Sequence, residues 1–389
     1  MDRRVFVRLV GGGVVFAAVG VSSGCSGEMP NDAIVAWKGP GEEKDLRRWI
    51  LSYAILAPHS HNLQSWLVDL STEGEILLRC DPQRLLPQTD PFARQIMMSH
   101  GTFLELLDLA ARERGLRADI TLFPEGAYGP DKIDARPVAR IRLVADASVQ
   151  KDPLFAHILR RHTNRNAYEL ARPVPAAAWQ AMASAVQPHP VQFGFVGPDS
   201  PGGAEALQRQ RDIAREAWRI ELVTPRTMLE SYHWLRIGDR EIVQHRDGIA
   251  ITSPMLVALD RMGLFDRNQA PAPDDTAVTS QVKDFDAKIA STPGFLWMLT
   301  RQNDRPTQVA AGRAYARVQL AATGHGVVMH PLQQALQEYP EQARPYAEIH
   351  RLLGGGQPGQ TVQMWARVGF AEPVGPAPRR GLDAHLIRT

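Results

Sequence analysis

The sequence predicts an α+β fold built as two related halves. Two observations carry that reading. Helical and strand-like apolar patterns mix along the chain without the strict alternation that a doubly wound parallel sheet needs. A spaced pattern also repeats. Gly101, Leu109-Ala110-Ala111 and Gly115 recur at identical spacing as Gly312, Leu320-Ala321-Ala322 and Gly326. Both copies lie in Leu/Ala-rich helical stretches that end on a helix-stopping glycine.

The elements follow in order. Residues 1–27 have a basic start, a moderately apolar run from Leu9 to Val21 and a small-residue end. That is the architecture of an export leader and is set apart from the fold. Arg3-Arg4 followed by Val5-Phe6-Val7-Arg8 resembles a twin-arginine signal, the route taken by proteins that are already folded. A general secretion signal is the alternative. Cys25 closes the leader and is a candidate lipid-attachment residue. With Cys25 removed or lipidated, Cys80 has no intrachain partner, so no disulfide is expected and Cys80 reads as a buried structural thiol.

Residues 28–42 read as a linker, 43–150 as the first half and 151–389 as the second. A helical pattern over 43–56 stops at Pro58. "SWLVDL" and "EILLRC" form a hairpin signal with Gly74 in the turn. An amphipathic helix runs to about Arg114, and "RADITLF" and "VARIRLV" read as strands. In the second half "PLFAHILRRHTNRNAY" is a helix running into a polar loop. "VPAAAWQAMASAV" is a helix and "VQFGFV" a strand. Residues 201–221 and 225–236 are helical, and 265–275 is a flexible loop. "GFLWMLT" is a strand, 305–326 a long helix, and "VQMWARVGF" a strand before a Pro/Gly/Arg-rich tail.

Composition excludes some functions. The 44 basic and 42 acidic residues leave a net charge of +2, and no basic tract is interleaved with aromatics, so nucleic acid is not an expected partner. "GGGQPGQ" matches G-x-G-x-x-G, but a helical pattern precedes it and a strand follows, the reverse of a phosphate loop. No G-x-S-x-G lies in residues 28–389. His59 and His61 form an H-x-H pair, but no third or fourth ligand shows spacing to them.

Four segments carry the functional reading. They are "APHSHNLQSW" (57–66), "RRHTNRNAY" (160–168), "GRAYARVQLAATGHG" (312–326) and "WARVGFAEPVGPAPRR" (365–380). In this order they resemble the flavin-dependent nitroreductases, and within them the tandem, two-domain Acg-like FMN-binding proteins. The resemblance implies a nitroreductase-like fold in which the two halves form an intrachain pseudo-dimer. The loop of the first half and the arm and C-terminal arginine of the second then build one FMN site. A second, swapped site looks degenerate: the first half offers only "KDLRRWIL" as an arm, and the second only "AITSPM" as a loop. The resemblance departs at His162, where the family has its second arginine, and at Ser65, where it has proline.

The residue types suit FMN. A phosphate dianion favours guanidiniums with a hydroxyl beside them, which Arg161, Thr163 and Arg165 supply, with Arg379 or Arg380 completing the clamp. Asn62 and Gln64 suit the donor–acceptor edge of the isoalloxazine, and Ser60 can cap a carbonyl. Arg165 or Arg161 near the pyrimidine end would stabilise the reduced flavin. A basic helix end in solvent is the plainer account of residues 160–165.

The resemblance therefore implies an FMN-dependent oxidoreductase that takes electrons from a small-molecule donor and passes them to an electron-poor acceptor, such as a nitro compound or quinone. The expected location is the periplasm or cell envelope, reached through the twin-arginine machinery. Two other readings stand beside it. One is a protein that stores FMN under a cover to which the loop 265–275 belongs. The other is a metal-binding protein using His59 and His61.

Overall fold

The computed structural model describes residues 28–355 and 360–387. The leader, with Arg3, Arg4 and Cys25, lies outside the described residues. In the first half, two 3₁₀ turns (Asn31–Ala33 and Val35–Lys38) precede α1 (Leu46–Ala54), β1 (Trp66–Asp69), β2 (Glu75–Cys80), α2 (Arg94–Glu113), β3 (Leu116–Leu122) and β4 (Pro137–Ala145). The Asp45 side chain caps α1 by accepting from the N–H groups of Arg47 and Arg48. The four strands form an antiparallel sheet ordered β1-β2-β4-β3.

The second half repeats this plan with an insertion. A 3₁₀ segment (Pro153–Arg160) and an irregular arm lead to α3 (Ala176–Ala185) and β5 (Gln192–Val196). The insertion then runs through α4 (Gly203–Val223), α5 (Pro225–His233), β6 (Leu235–Ile237), α6 (Gly238–His245), β7 (Ile249–Ile251), α7 (Pro254–Arg261) and α8 (Thr276–Ala290). The core plan resumes with β8 (Gly294–Thr300), α9 (Arg305–Gly324), β9 (Val328–Pro331), α10 (Ala343–Leu353) and β10 (Thr361–Gly369). Its antiparallel sheet is ordered β5-β8-β10-β9, the same order as the first sheet when the strands of each sheet are counted in chain order.

The repeated sequence pattern proves to be the crossing of α2 and α9. A Cβ placed on Gly101 would stand 2.0 Å from the Val309 carbonyl oxygen, and one on Gly312 would stand 1.8 Å from that of Met98. Each glycine therefore meets the residue three positions before the other. The two backbones touch, and both helices are buried along most of their length. Gly115 and Gly326, which follow the two helices, both take φ +68°, the left-handed conformation that ends a helix. Beside the crossing, the buried Glu105 is held by Arg313 (2.7 Å), Arg317 (2.9 Å) and His189 (3.3 Å). Burial alone would raise its pKa, but Arg313, His189 and Arg317 overcome this and hold the carboxyl below its usual range.

The chain then crosses back. The tail after β10 leaves its own sheet and pairs with β1 of the first half: the Val68 N–H donates to His385 O and the Ile387 N–H to Val68 O, both 2.8 Å. The insertion also reaches the first half. The Glu230 carboxylate accepts from the N–H groups of Gln88 (2.8 Å) and Thr89 (2.9 Å), and Asp247 joins Arg84 to Arg236.

The helix expected over 225–236 ends at His233, and Leu235–Ile237 instead pairs in parallel with β7. Three buried residues are too few for periodicity to separate a strand from a helix end. Cys80 is a free, buried thiol at the end of β2, as expected. The loop 265–275 is tied down by Arg267, which bridges Glu241 (2.9 Å) and Asp260 (3.0 Å).

Two predictions follow from the packing. Gly101→Ala and Gly312→Ala should each lower stability by about 1–3 kcal/mol, because the helices must part to admit a methyl group. The double variant should lose less than the two losses added, since one separation makes room for both methyls; thermal melts of the four proteins check this. Glu221 on α4 is buried against Gln337, and burial pushes its pKa from 4.5 to about 7. Its neutral form is therefore the one that favours folding. That contribution is complete below pH 4.5 and is lost as pH rises through about 7. Glu221→Gln should flatten the decline in melting temperature across that window.

Candidate functional site

The loop after α1 is the first part of the site. Its backbone is unusual: His61 (φ 48°), Asn62 (φ 55°) and Gln64 (φ 54°) are all left-handed without being glycine. Such residues cost about 1–3 kcal/mol each and persist only where the surroundings hold them. Here the holding groups are visible. The Asn62 amide donates to Gly248 O (3.2 Å) and Pro378 O (3.0 Å), while the Gly248 N–H donates to Asn62 O (3.1 Å). The buried Gln64 amide donates to Arg246 O (2.9 Å) and accepts from the Arg380 N–H (3.0 Å).

Asn62 and Gln64 are thus latches that join loop, insertion and tail. They were expected to offer free amides, but their donors are taken by protein carbonyls. The reason is long-range: the tail crosses at this loop, which local spacing does not reveal. Ser60 and His61 are engaged more loosely. The Ser60 hydroxyl contacts Gln95 Oε1 at 3.4 Å, and His61 Nε2 contacts the Ser231 hydroxyl at 3.3 Å.

The second part is a pair of buried arginines. Arg161 is 2% exposed and Arg379 is 4% exposed. Arg161 donates to Gln319 Oε1 (3.0 Å) and Leu56 O (3.1 Å), and Arg379 donates to Ala57 O (2.9 Å) and Pro378 O (3.3 Å). Among the described residues neither has a carboxylate at ion-pair distance. Their guanidinium carbons lie 5.7 and 5.5 Å from the centroid of the Trp37 ring, and the His162 ring meets the same indole edge-on at 5.1 Å. Burial pushes the pKa of Arg161 down to about 10. Burial and then the charge of Arg161 push that of Arg379 to about 9.

Around this pair several buried polar atoms have no hydrogen-bond partner: Arg161 Nε, Arg379 Nε, His162 Nε2, Tyr315 Oη and Gln319 Nε2. Buried polar groups are nearly always paired, and each orphan costs about 1–3 kcal/mol. His162 Nε2 is the acceptor nitrogen of a neutral ring whose Nδ1–H donates to Val374 O (2.9 Å). The other four atoms donate, and the surrounding charge is positive. That is the chemistry of a site for an anion. Contrast the groove near Arg112, Lys151 and Arg317, where Asp108 (3.2 Å), Glu113 (2.7 Å) and Asp152 (2.8 Å) neutralise each cation in turn.

Arg165 differs from its neighbours. Its side chain is exposed to solvent, yet protein surrounds it closely enough for burial to lower its pKa. Its charge acts on Tyr315 together with that of Arg161. It also helps to lower the pKa of His61, Lys288 and His330 after burial. It therefore stands in a recess shared by the first half's loop and β9. Thr163 bridges to Met329 on β9, half-buried between the two arginines in sequence. Arg380 turns elsewhere, toward Gln64 O and His385, so Arg379 is the tail arginine that joins Arg161. The plainer account of residues 160–165, a solvated helix end, fails at Arg161.

Three contributors were not singled out from the sequence: Trp37, Tyr315 and Gln319. The last two offered a signal, since they lie four apart on one buried face of the helix, where polar side chains call for partners. Trp37 offered none.

The swapped site is filled. Arg47 is occupied by the carbonyls of Leu70, Thr72 and Glu75, and Arg48 by Glu43 (2.9 Å) and Asp383 (2.7 Å). The loop expected at "AITSPM" belongs to the insertion, running from β7 into α7. Topologically, the counterpart of 57–65 is the α3–β5 connection, whose His189 lies against Glu105. The two histidines of the H-x-H pair have separate partners: His59 Nε2 lies 2.7 Å from the Ser65 hydroxyl, and His61 faces Ser231. No group of three or more His, Cys, Asp or Glu among the described residues is placed to share a metal.

The buried cations yield a prediction about the chain without ligand. Arg379→Met removes a charge that no carboxylate compensates, so its melting temperature should match or exceed that of the parent, by up to about 1–4 kcal/mol in stability. Millimolar inorganic phosphate should raise the melting temperature of the parent and leave that of the variant unmoved.

No protein-family model matches the chain. Two curated proteins of Mycobacterium tuberculosis, Putative NAD(P)H nitroreductase Rv3131 (strain H37Rv) and Putative NAD(P)H nitroreductase MT3217 (strain CDC 1551), are similar to it. Each is 27% identical over 373 residues, covering 90% of this chain and 95% of the relative. Among solved structures, the FMN and NADPH-dependent nitroreductase NfnB from sphigopyxis sp. strain HMH covers 61% of this chain and 99% of its own, with 19% identity and a TM-score of 0.37. The FMN-dependent nitroreductase NfnB from Mycobacterium smegmatis, in complex with NADPH, covers 58% and 94%, with 16% identity and a TM-score of 0.34. The chain is thus similar, along nearly its whole length, to two proteins named as nitroreductases.

Proposed function

We propose that this chain is an FMN-binding oxidoreductase of nitroreductase type, with one site assembled between two halves that act as an intrachain pseudo-dimer. The observation that carries the reading is the set of unpaired buried donors around Arg161 and Arg379. A phosphate monoester dianion supplies the acceptors these donors lack, and it offsets two desolvated charges at once. The equal strand order of the two sheets and the reciprocal glycine contacts support the pseudo-dimer. On this reading 43–150 and 151–389 are the two halves by chain position, with the tail of the second laid on the first.

The residues then divide the work. Arg161 and Arg379 hold the phosphate, with Thr163 on the same arm. Arg165, in the recess shared with His61 and His330, faces the pyrimidine end of the flavin ring and steadies negative charge there. Ser60 lines the loop side. Asn62 and Gln64 act indirectly, by fixing the strained loop and the tail that carries Arg379. When bound, FMN supplies the electron transfer between a reduced donor and an electron-poor acceptor such as a nitro compound or quinone. The relatives are named for NAD(P)H, but an exported protein meets no NAD(P)H, so in the envelope the donor is another small-molecule reductant. The leader would export the loaded, folded protein by the twin-arginine route to the cell envelope, with Cys25 as the candidate anchor.

A second reading, a protein that holds FMN without turnover, draws on one feature. The loop is latched to the insertion at Asn62, Gln64 and His61, which favours a closed site. One experiment separates the two. Residues 28–389 are purified and the visible spectrum is followed with NADPH, then with a nitroarene. A yellow protein that NADPH or dithionite bleaches and the nitroarene re-oxidises is expected. A yellow protein inert to both reductants is the storage outcome, and a colourless protein that also fails to take up added FMN contradicts both. Arg165→Ala and Asn62→Ala should each lower FMN occupancy several-fold; unchanged occupancy in both means the site lies elsewhere.

A further inference from the structure

We infer that residues 31–38 form a strap over the anion site, and that Trp37 is a cofactor-retaining residue at which FMN entry and release are gated. The inference rests on the FMN reading above. It starts from an oddity of the N-terminal segment, which the sequence reads as a linker. Trp37 is only 8% exposed, and both unpaired arginines and His162 lie against its ring. The indole is thus part of the wall around the orphaned donors.

The strap is tied on its far side to the tail. The Trp37 Nε1–H donates to Ala377 O (2.8 Å), and the Arg379 N–H donates to Ala33 O (2.8 Å). The same two bonds that close the strap therefore place Arg379. Between the strap and α1 lies Gly39-Pro40-Gly41, with φ +78° at Gly39 and +56° at Gly41. Those backbone values belong to glycine, and a short glycine-flanked connection is where a segment can turn as a unit. A small cavity lined by Val35, Ala36, Gly39 and Arg379 runs under this end of the strap. Opening the strap would break those two bonds, draw Trp37, Ile34 and Ala36 out of the first half's core and expose the arginine pair directly.

Trp37 also makes electrostatic sense as the cover. An indole face attracts guanidinium cations, most when water is excluded. It therefore holds two like charges near one another without neutralising them, which a carboxylate would do at the expense of the anion. An aromatic cover keeps the arginines both clustered and available.

The test compares release of FMN and of riboflavin, which lacks the phosphate, from the loaded parent, Trp37→Ala and Trp37→Phe proteins, following the return of free-flavin fluorescence after dilution. FMN should leave Trp37→Ala about tenfold faster than the parent. Trp37→Phe keeps a ring but loses the bond to Ala377, so its acceleration should be smaller. Riboflavin release should be the same in all three. FMN release at the parent rate from both variants overturns the strap while leaving the FMN reading intact. Equal acceleration of riboflavin overturns it too, since that is general loosening. Failure of the parent itself to bind FMN overturns both, and is told apart by appearing without any substitution. If Trp37→Ala does not fold, Trp37→Phe decides alone.

Discussion

The backbone contact between α2 and α9 is the constraint on which the rest depends. Two helices can approach this closely only where neither carries a side chain, and Gly101 and Gly312 supply that gap on each partner. The crossing sets the two sheets on either side of one helical layer. It also brings the end of α1, with the carbonyls of Leu56 and Ala57, against the arm that carries Arg161 and the tail that carries Arg379. Without the close crossing, residues about a hundred and about three hundred positions apart would not share one pocket.

That pocket concentrates unfavourable terms. Left-handed non-glycine residues, desolvated guanidiniums and unpaired donors all gather around the loop 57–65 and the Trp37 ring. Elsewhere several buried charges are matched: Glu105 answers Arg313 and Arg317, and Asp247 answers Arg84 and Arg236. Unpaired buried atoms occur elsewhere too, but here two guanidiniums without a carboxylate, and their unpaired Nε atoms, lie against one ring, Trp37. The excess is positive and rich in donors, which selects anions. Its two guanidiniums suit a phosphate better than a single carboxylate.

The sequence was most legible where the chemistry is local. The helices α2 and α9, the hairpin ahead of α2 and most of the longer strands were readable from apolar period and glycine punctuation, whereas β9 and the sheet order were not. The repeat around Gly101 and Gly312 was visible as spacing, although only the structure shows it as a crossing. The parallel β6–β7 pair was not readable, because short buried strands lack a period. At the site, Arg161 and Arg379 were named and are brought together. Arg380 was named with Arg379 but faces Gln64 and His385. Asn62 and Gln64 were named for a ligand edge and instead hold the tail, a role set by a contact more than three hundred residues away in sequence. Trp37 was missed for the same reason: a lone tryptophan in a Pro/Gly-rich segment says nothing about what folds against it.

The central claim is that the buried arginine pair holds a phosphate dianion. The most direct measurement is the ³¹P resonance of FMN bound to the purified protein, followed with pH. A free phosphate monoester dianion takes up one proton near pH ~6, and its resonance moves as it does so. Two desolvated guanidiniums and their unpaired donors should keep the bound phosphate doubly charged, so its resonance should stay at the dianion position from about pH 8 to about pH 5. A bound resonance that titrates with a midpoint near ~6, as it does in solution, would contradict the account.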